Sequence, residues 1–356
     1  MPTASEAIRR DETFLHTLIR TRLYDASDPK DKVYFILGIN EGPAVSIVPD
    51  YRKSTGLVYV ETAMAILKSS DSLLLLSCVE GDALRQVNGL PSWAPDWSVR
   101  KMIGLGITGY ERYCAAGTQT QRLEILQDEN VLRLEAIMLD KTTEVGEAKD
   151  ELLHGELGQS WINILGSLPH PYHNSQSRDE VLWRTLITDT SGRGEHPANP
   201  SVGDGFRLWF LESVQAFMRK KSLDMEGDKM QRFLSAIDQV QSEVIPSRSE
   251  IKTYLAIPHT NLHDTESIYG AYGTIFSHAP LLRLFRTEKG FLGLDSRSLR
   301  NSDSVCIVPG CQVPLVLRPT QSITKFRLEG GTYLHGFMAG EALFSSSPRT
   351  QIIELE

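Results

Sequence analysis

The stretch Leu90-Pro91-Ser92-Trp93-Ala94-Pro95-Asp96-Trp97-Ser98 holds two of the five tryptophans and two of the 17 prolines in a chain of 356 residues. Each proline holds φ at about −65° and pushes the residue before it toward an extended backbone. A run carrying Pro91 and Pro95 is therefore a stiff connector and not the interior of a helix. Trp93 and Trp97 bring large apolar area together with an N–H that needs an acceptor once buried, which pins such a connector across a core. Asp96 between them is placed to accept such a bond or to cap a turn. The stretch reads as a structural clasp, with a helical part before it and a β-rich part after it.

Upstream, residues 4–23 read as a helix, with Leu15, Leu18, Ile19 and Leu23 at three- and four-residue spacings. Asp28 to Gly38 reads as a short, sharply bounded one: Asp28 suits the N-cap, Pro29 the first helical position, Asp31 the positive first turn and Gly38 the stop. From Thr55 to Lys68 a further helix sets Leu57, Val60, Met64 and Leu67 on one stripe. The apolar segment Leu73 to Val79 then leads through Gly81 and Gly89 to the clasp.

Downstream the period changes. Arg122 to Leu126 and Val131 to Ile137 alternate loosely around a turn-like Gln127 to Asn130, which reads as a hairpin. Helical patterns return between residues 151 and 245, interrupted by a Gly/Pro-rich loop from Ser191 to Gly205. Apolar segments near 281–294, 304–308, 313–318 and 325–335 are separated by Gly, Pro, Asn and Asp, the pattern of a small, strongly bent sheet. The fold class is α+β: helical N-terminal and middle parts, a hairpin or small sheet, and a C-terminal small β-barrel-like sheet. The stretches 1–100, 101–150, 151–250 and 251–356 mark its organisation within one compact unit.

Several of these segments carry a family resemblance. "LPSWAPDWS" at 90–98 resembles the LPSW-x-PDWS signature of fungal heterokaryon-incompatibility (HET) proteins, where it lies downstream of the HET domain proper. The run from Asp28 resembles the family's DPRDKVYALLGL motif, and Ile47 to Lys53 its I-x-PDYSKS. "RTEKGFLGL" from Arg286, "VPLVLRP" from Val313 and "YLHGFMAGEAL" from Tyr333 are similar to the family's tail. The matches run from residue 28 to residue 343, in order, and cover almost the whole chain. The N-terminal HET module, with its ALSYxWG-like and WxDxxCINQ-like motifs, is not in this sequence. That module is the part tied to incompatibility and cell death, and it is thought to be TIR-like. The resemblance therefore implies either the remainder of a HET protein or a scaffold put to another use, and it transfers no death-effector or NAD-cleaving role.

Two departures from the family stand near His335. The usual Gly-Glu-Ala-Tyr is here Gly330-Gly331-Thr332-Tyr333, and Met-Asp-Gly-Glu is Met338-Ala339-Gly340-Glu341. Two acidic side chains are missing, which leaves the place less charged and open to an apolar ligand.

Composition narrows the chemistry. A net charge of −8 argues against nucleic acid as the main partner. The longest leucine run, Leu73 to Leu76, is far too short for a bilayer, and no signal peptide is visible. Four cysteines are too few and too scattered for a disulfide framework, and Cys306 and Cys311, without a second Cys/His pair at a zinc-ligand spacing, read as buried thiols, which fits a reducing cytoplasm. No P-loop, Gly-x-Gly-x-x-Gly, His-Glu-x-x-His, Gly-x-Ser-x-Gly or aspartate-rich cluster is present, so no cofactor and no metal are expected.

Two functions remain. The leading expectation is a cofactor-independent cyclase or pericyclase, Diels–Alderase-like, that folds an apolar fungal metabolite such as an oxidised terpenoid and hydrogen-bonds an activating carbonyl. Its pocket would use Tyr51, Trp93 and Trp97 to bind substrate and Tyr333 and His335 as catalytic donors, with His335 otherwise reading as a structural histidine. The alternative is a non-enzymatic regulatory or incompatibility-related module that binds protein partners. It predicts an exposed apolar patch in place of a deep cavity.

Overall fold

The computed structural model describes residues 14–39, 47–70, 72–100, 112–120, 123–126, 130–153, 156–192, 194–221, 227–240, 242–256, 272–277, 281–344 and 350–356. They form two compact units: one from residues 1–140, 302–332 and 337–356, the other from 141–301 and 333–336. This differs from consecutive stretches in one compact unit. The cause is long-range strand pairing, which returns the end of the chain to its middle.

In the first unit, α1 (Phe14–Thr21) buries Phe14, Leu15, Leu18 and Ile19; residues 4–13 of the expected helix lie outside the described residues. The Asp28 carboxylate accepts from the Lys30 N–H at 2.9 Å and leads into α2 (Asp31–Ile39), which passes through Gly38 and ends one residue beyond the expected stop. In α3 (Thr55–Ser69), Ser54 caps the start by accepting from the Leu57 N–H. Its buried face keeps Val60 and Leu67 of the expected stripe, with Met64 partly buried, but is wider: Val58, Tyr59, Thr62, Ala63 and Ile66 also point inward, while Leu57 is exposed. Tyr59 anchors this face, since its hydroxyl reaches both the Pro29 carbonyl and the Ser98 hydroxyl. A buried 3-10 turn, Leu74–Cys78, continues into the clasp.

The clasp is pinned as its composition requires. Trp93 is fully buried and its indole N–H donates to the Asn130 carbonyl at 2.8 Å. The Asp96 carboxylate accepts three backbone N–H groups, from Gln86, Val87 and Ser98. Trp97 is equally buried but its N–H has no acceptor among the described residues; the Arg22 guanidinium lies over its ring at 5.3 Å instead. Arg22 is the centre of this packing, a role the sequence does not reveal. It donates to the carbonyls of Val99, Cys78 and Asp96 and to the Glu80 carboxylate at 2.7–2.9 Å, with both charged side chains buried.

The hairpin is β1 (Leu123–Leu126) on β2 (Val131–Ala148). β2 then pairs through residues 132–137 with β9 (Thr350–Leu355), which runs parallel to β7 (Lys325–Gly331). β7 pairs with β6 (Leu315–Pro319), β6 with β5 (Ser304–Ile307), and β5 with β2, so five strands form a closed circuit of pairings. The α+β class holds, and the expected C-terminal sheet contains a strand from mid-chain. The Gly330-Gly331 departure has a packing reason. A Cβ at Gly330 would stand 2.6 Å from the Val79 carbonyl oxygen, and one at Gly331 2.9 Å from Ser77 and Val313. The backbone fills this place, and no room is left there for an apolar ligand.

The second unit takes the far end of β2, whose Thr142 to Ala148 pair with β3 (Arg283–Thr287). β3 pairs with β4 (Leu292–Asp295), and β4 with β8 (Tyr333–Leu334). Around these strands come α4 (Lys149–Leu153), α5 (Gln159–Ser167), α6 (Arg178–Leu186), α7 (Asp204–Lys221), α8 (Asp228–Gln239) and α9 (Arg248–Leu255). The loop expected from Ser191 to Gly205 gives way at Pro200–Val202 to a 3-10 turn, and α7 starts directly after it.

Candidate functional site

The N-terminal helices leave apolar side chains outside. Leu23, Tyr24, Phe35, Ile39, Val48, Tyr51 and Leu57 are all exposed, Tyr24 at 72%, Phe35 at 64% and Tyr51 at 57%. Phe35 is outside for a simple reason. Val33 to Leu37 is a run of five apolar residues on a helix that buries only Val33, Tyr34 and Ile36, so one bulky ring is left on the far face. That run is the sequence signal for a surface site.

Of these, Tyr24, Phe35 and Tyr51 line an open cleft of about 720 Å³, together with Thr21 and Asp25 at the end of α1 and in the loop after it and with Asp31 and Lys32 of α2. The wall is held by its own bonds. The Tyr51 hydroxyl donates to the Asp31 carboxylate at 2.6 Å, and the Tyr51 ring meets Tyr34 edge to face at 5.2 Å. The Tyr34 hydroxyl donates to the Asp50 carbonyl and accepts from the Asp50 N–H. The Lys32 ammonium bonds the carbonyls of Arg22 and Tyr24, and its pKa is lowered, first by burial. Asp25, on the rim, pairs with Arg100 at 2.7 Å, both side chains about two-thirds exposed.

Of the residues expected to form one pocket, Tyr51 lines this cleft, whereas Trp93 and Trp97 are core side chains of the same unit. Tyr333 and His335 fall in the other unit, where both are buried. There the Tyr333 hydroxyl meets His335 Nδ1 at 3.0 Å, and His335 Nε2 meets the Gln176 side-chain oxygen at 2.7 Å. An amide oxygen can only accept, so Nε2 carries the proton and Nδ1 accepts from Tyr333. Burial, with the charges of Arg184 and His196 behind it, pushes the His335 pKa down to about 4, so the ring is neutral. Tyr172 completes the cluster, donating to the His335 carbonyl and accepting from the Leu292 N–H. Both ring nitrogens are held by protein groups, an arrangement that orients β8 against β4.

A protein-family model described as the Het-6 beta-barrel domain matches residues 169–350, about half of the chain. The chain belongs to this family. The family match takes in β3 through β8 and reaches the first residue of β9. The chain is also 22% identical over 382 aligned residues to Heterokaryon incompatibility protein 6, OR allele, of Neurospora crassa. That alignment takes in 93% of this chain and 52% of the relative, so the chain spans about half the length of the curated relative it matches. No solved structure matches it. Family membership and this relative overturn the expectation of a terpenoid cyclase, because both point to heterokaryon incompatibility and neither to secondary metabolism. Among the described residues no helix is long and apolar enough to cross a membrane.

Proposed function

We propose that the chain is a non-enzymatic, incompatibility-related module that works by binding protein partners, with the cleft of the first unit as its docking surface. The observation that carries this is the cluster of exposed rings, Tyr24, Phe35 and Tyr51, around an open cleft. Contiguous exposed apolar surface of this kind marks interaction sites, because water is released from it only when a partner covers it. A lining set by side-chain bonds, such as Tyr51 to Asp31, keeps the surface in shape before the partner arrives and lowers the ordering cost of binding. The family and the incompatibility relative support the same reading.

The test is proximity labelling in a filamentous fungus with the intact chain and with Phe35→Asp, which puts a charge in the middle of the rings. A set of neighbours labelled by the parent and lost with the variant is the expected result. Identical labelling by both would remove the cleft as a docking surface.

A further inference from the structure

We infer that the cleft takes a basic amphipathic peptide segment: an arginine or lysine whose stem lies on the rings of Tyr24, Phe35 and Tyr51 and whose charge reaches Asp25 and Asp31, beside a bulky apolar side chain. This rests on the docking function proposed above and adds the chemistry of the partner.

Three observations select a cationic occupant. The carboxylates of the cleft are Asp25 and Asp31, and both line it. Asp25 pairs with Arg100, two-thirds exposed on each side, and such pairs contribute little, so an incoming guanidinium can replace Arg100 at small loss. The ammonium groups nearby are held by backbone carbonyls: Lys32 bonds those of Arg22 and Tyr24, and Lys30 bonds those of Tyr51 and Lys53 and pairs with Asp28 at 3.4 Å. The ring faces themselves attract cations, and the Lys30 ammonium already sits 5.8 Å from the Tyr51 centroid. The exposed rings supply the apolar half of the match. The net charge of −8 draws a basic segment toward the chain and repels nucleic acid and anionic lipid. A volume of about 720 Å³ suits a few side chains of a peptide.

A random-peptide display library selected on the intact chain, with counter-selection on Phe35→Asp, reads the preference directly. Tyr24→Ser is the second counter-selection protein, used if Phe35→Asp melts early. Enrichment of Arg or Lys next to Leu, Phe or Trp is expected. The selected peptides should bind Asp25→Asn/Asp31→Asn at least tenfold more weakly, and Arg100→Ala several-fold more tightly; a merely structural Asp25–Arg100 pair would not give the second change. Enrichment of acidic or uncharged peptides, or equal affinity for the double asparagine variant, overturns the cationic occupant while leaving the docking function standing. No enrichment over the counter-selection protein removes the docking function itself. Co-sedimentation with phosphatidylcholine/phosphatidylserine vesicles, abolished by Phe35→Asp and without peptide enrichment, would assign the rings to a membrane surface and overturn the proposal.

Discussion

Replacing Arg22 by methionine keeps most of the aliphatic stem and deletes the donors that hold the first unit together. In the parent, the guanidinium bonds the carbonyls of Cys78, Asp96 and Val99 and the carboxylate of Glu80, which is itself 2% exposed. Removing one partner of a buried ion pair strands the other charge, which costs about 3–5 kcal/mol. Each carbonyl left without its donor adds about 1 kcal/mol. The total, on the order of 6 kcal/mol, is comparable to the whole stability of a typical domain, about 5–15 kcal/mol. The Arg22→Met chain should therefore hold its first unit marginally or not at all. Arg22→Met/Glu80→Gln removes the stranded charge and should recover about 2 kcal/mol, because what remains is polar but uncharged. Urea unfolding followed by tryptophan fluorescence gives the size of the effect. Hydrogen exchange at Gln86, Val87 and Ser98, whose N–H groups bond Asp96, shows whether the clasp is what opens. A loss below about 1.5 kcal/mol for the single variant, well under the usual cost of a broken buried pair, would refute the role given to Arg22. A double variant no more stable than the single one would refute the ion-pair argument itself.

Phe35→Asp should leave stability within about 0.5 kcal/mol of the parent, measured by thermal melting, since the ring is largely exposed. Gly293→Ala should cost about 3 kcal/mol or more, because the added Cβ would stand 2.4 Å from the Phe285 ring and 2.5 Å from the Tyr333 carbonyl oxygen; near-parental urea unfolding would contradict it. His335 has a folded pKa of about 4 against 6.5, so the native state holds fewer protons between these values. Protection of β4 and β8 is thus complete above pH 6.5 and falls as the pH drops toward 4, a slope that His335→Gln should flatten in hydrogen exchange. Glu329 has the opposite sign. Burial pushes its carboxyl up to about 7 from 4.5, so the first unit loses stability as pH rises between these values, and Glu329→Gln should remove that trend from urea midpoints.

The parts of the fold legible in the sequence were those with local causes. Asp28 marks a helix start because its side-chain oxygen and a backbone N–H lie two residues apart. The clasp is legible because proline stiffness and indole burial act within nine residues. What stayed hidden is non-local. Arg22 looks like any surface arginine at the end of a helix until Cys78, Asp96 and Val99 come together around it, across up to 77 residues of chain. The strand β9 carries four exposed or half-exposed positions in six and no alternation strong enough to place it between β2 and β7. For the site, the motif-rich aromatic residues Trp93, Trp97 and Tyr333 drew attention, yet they are the ones the fold buries. Tyr24 and Phe35 carry no motif signal beyond an excess of apolar residues on a short helix, and they are the ones left facing solvent.

The position of β9 has a consequence for biosynthesis. Its backbone joins β2 to β7, and Glu356 just after it accepts from the Ser92 N–H and donates to the Phe326 carbonyl. A nascent chain on the ribosome can assemble the neighbours on either side, but both present raw strand edges until residues 350–356 emerge. The first unit can therefore complete itself only once residues 350–356 have emerged, and until then its unpaired edges are exposed to other nascent chains and to the chaperones that shield them.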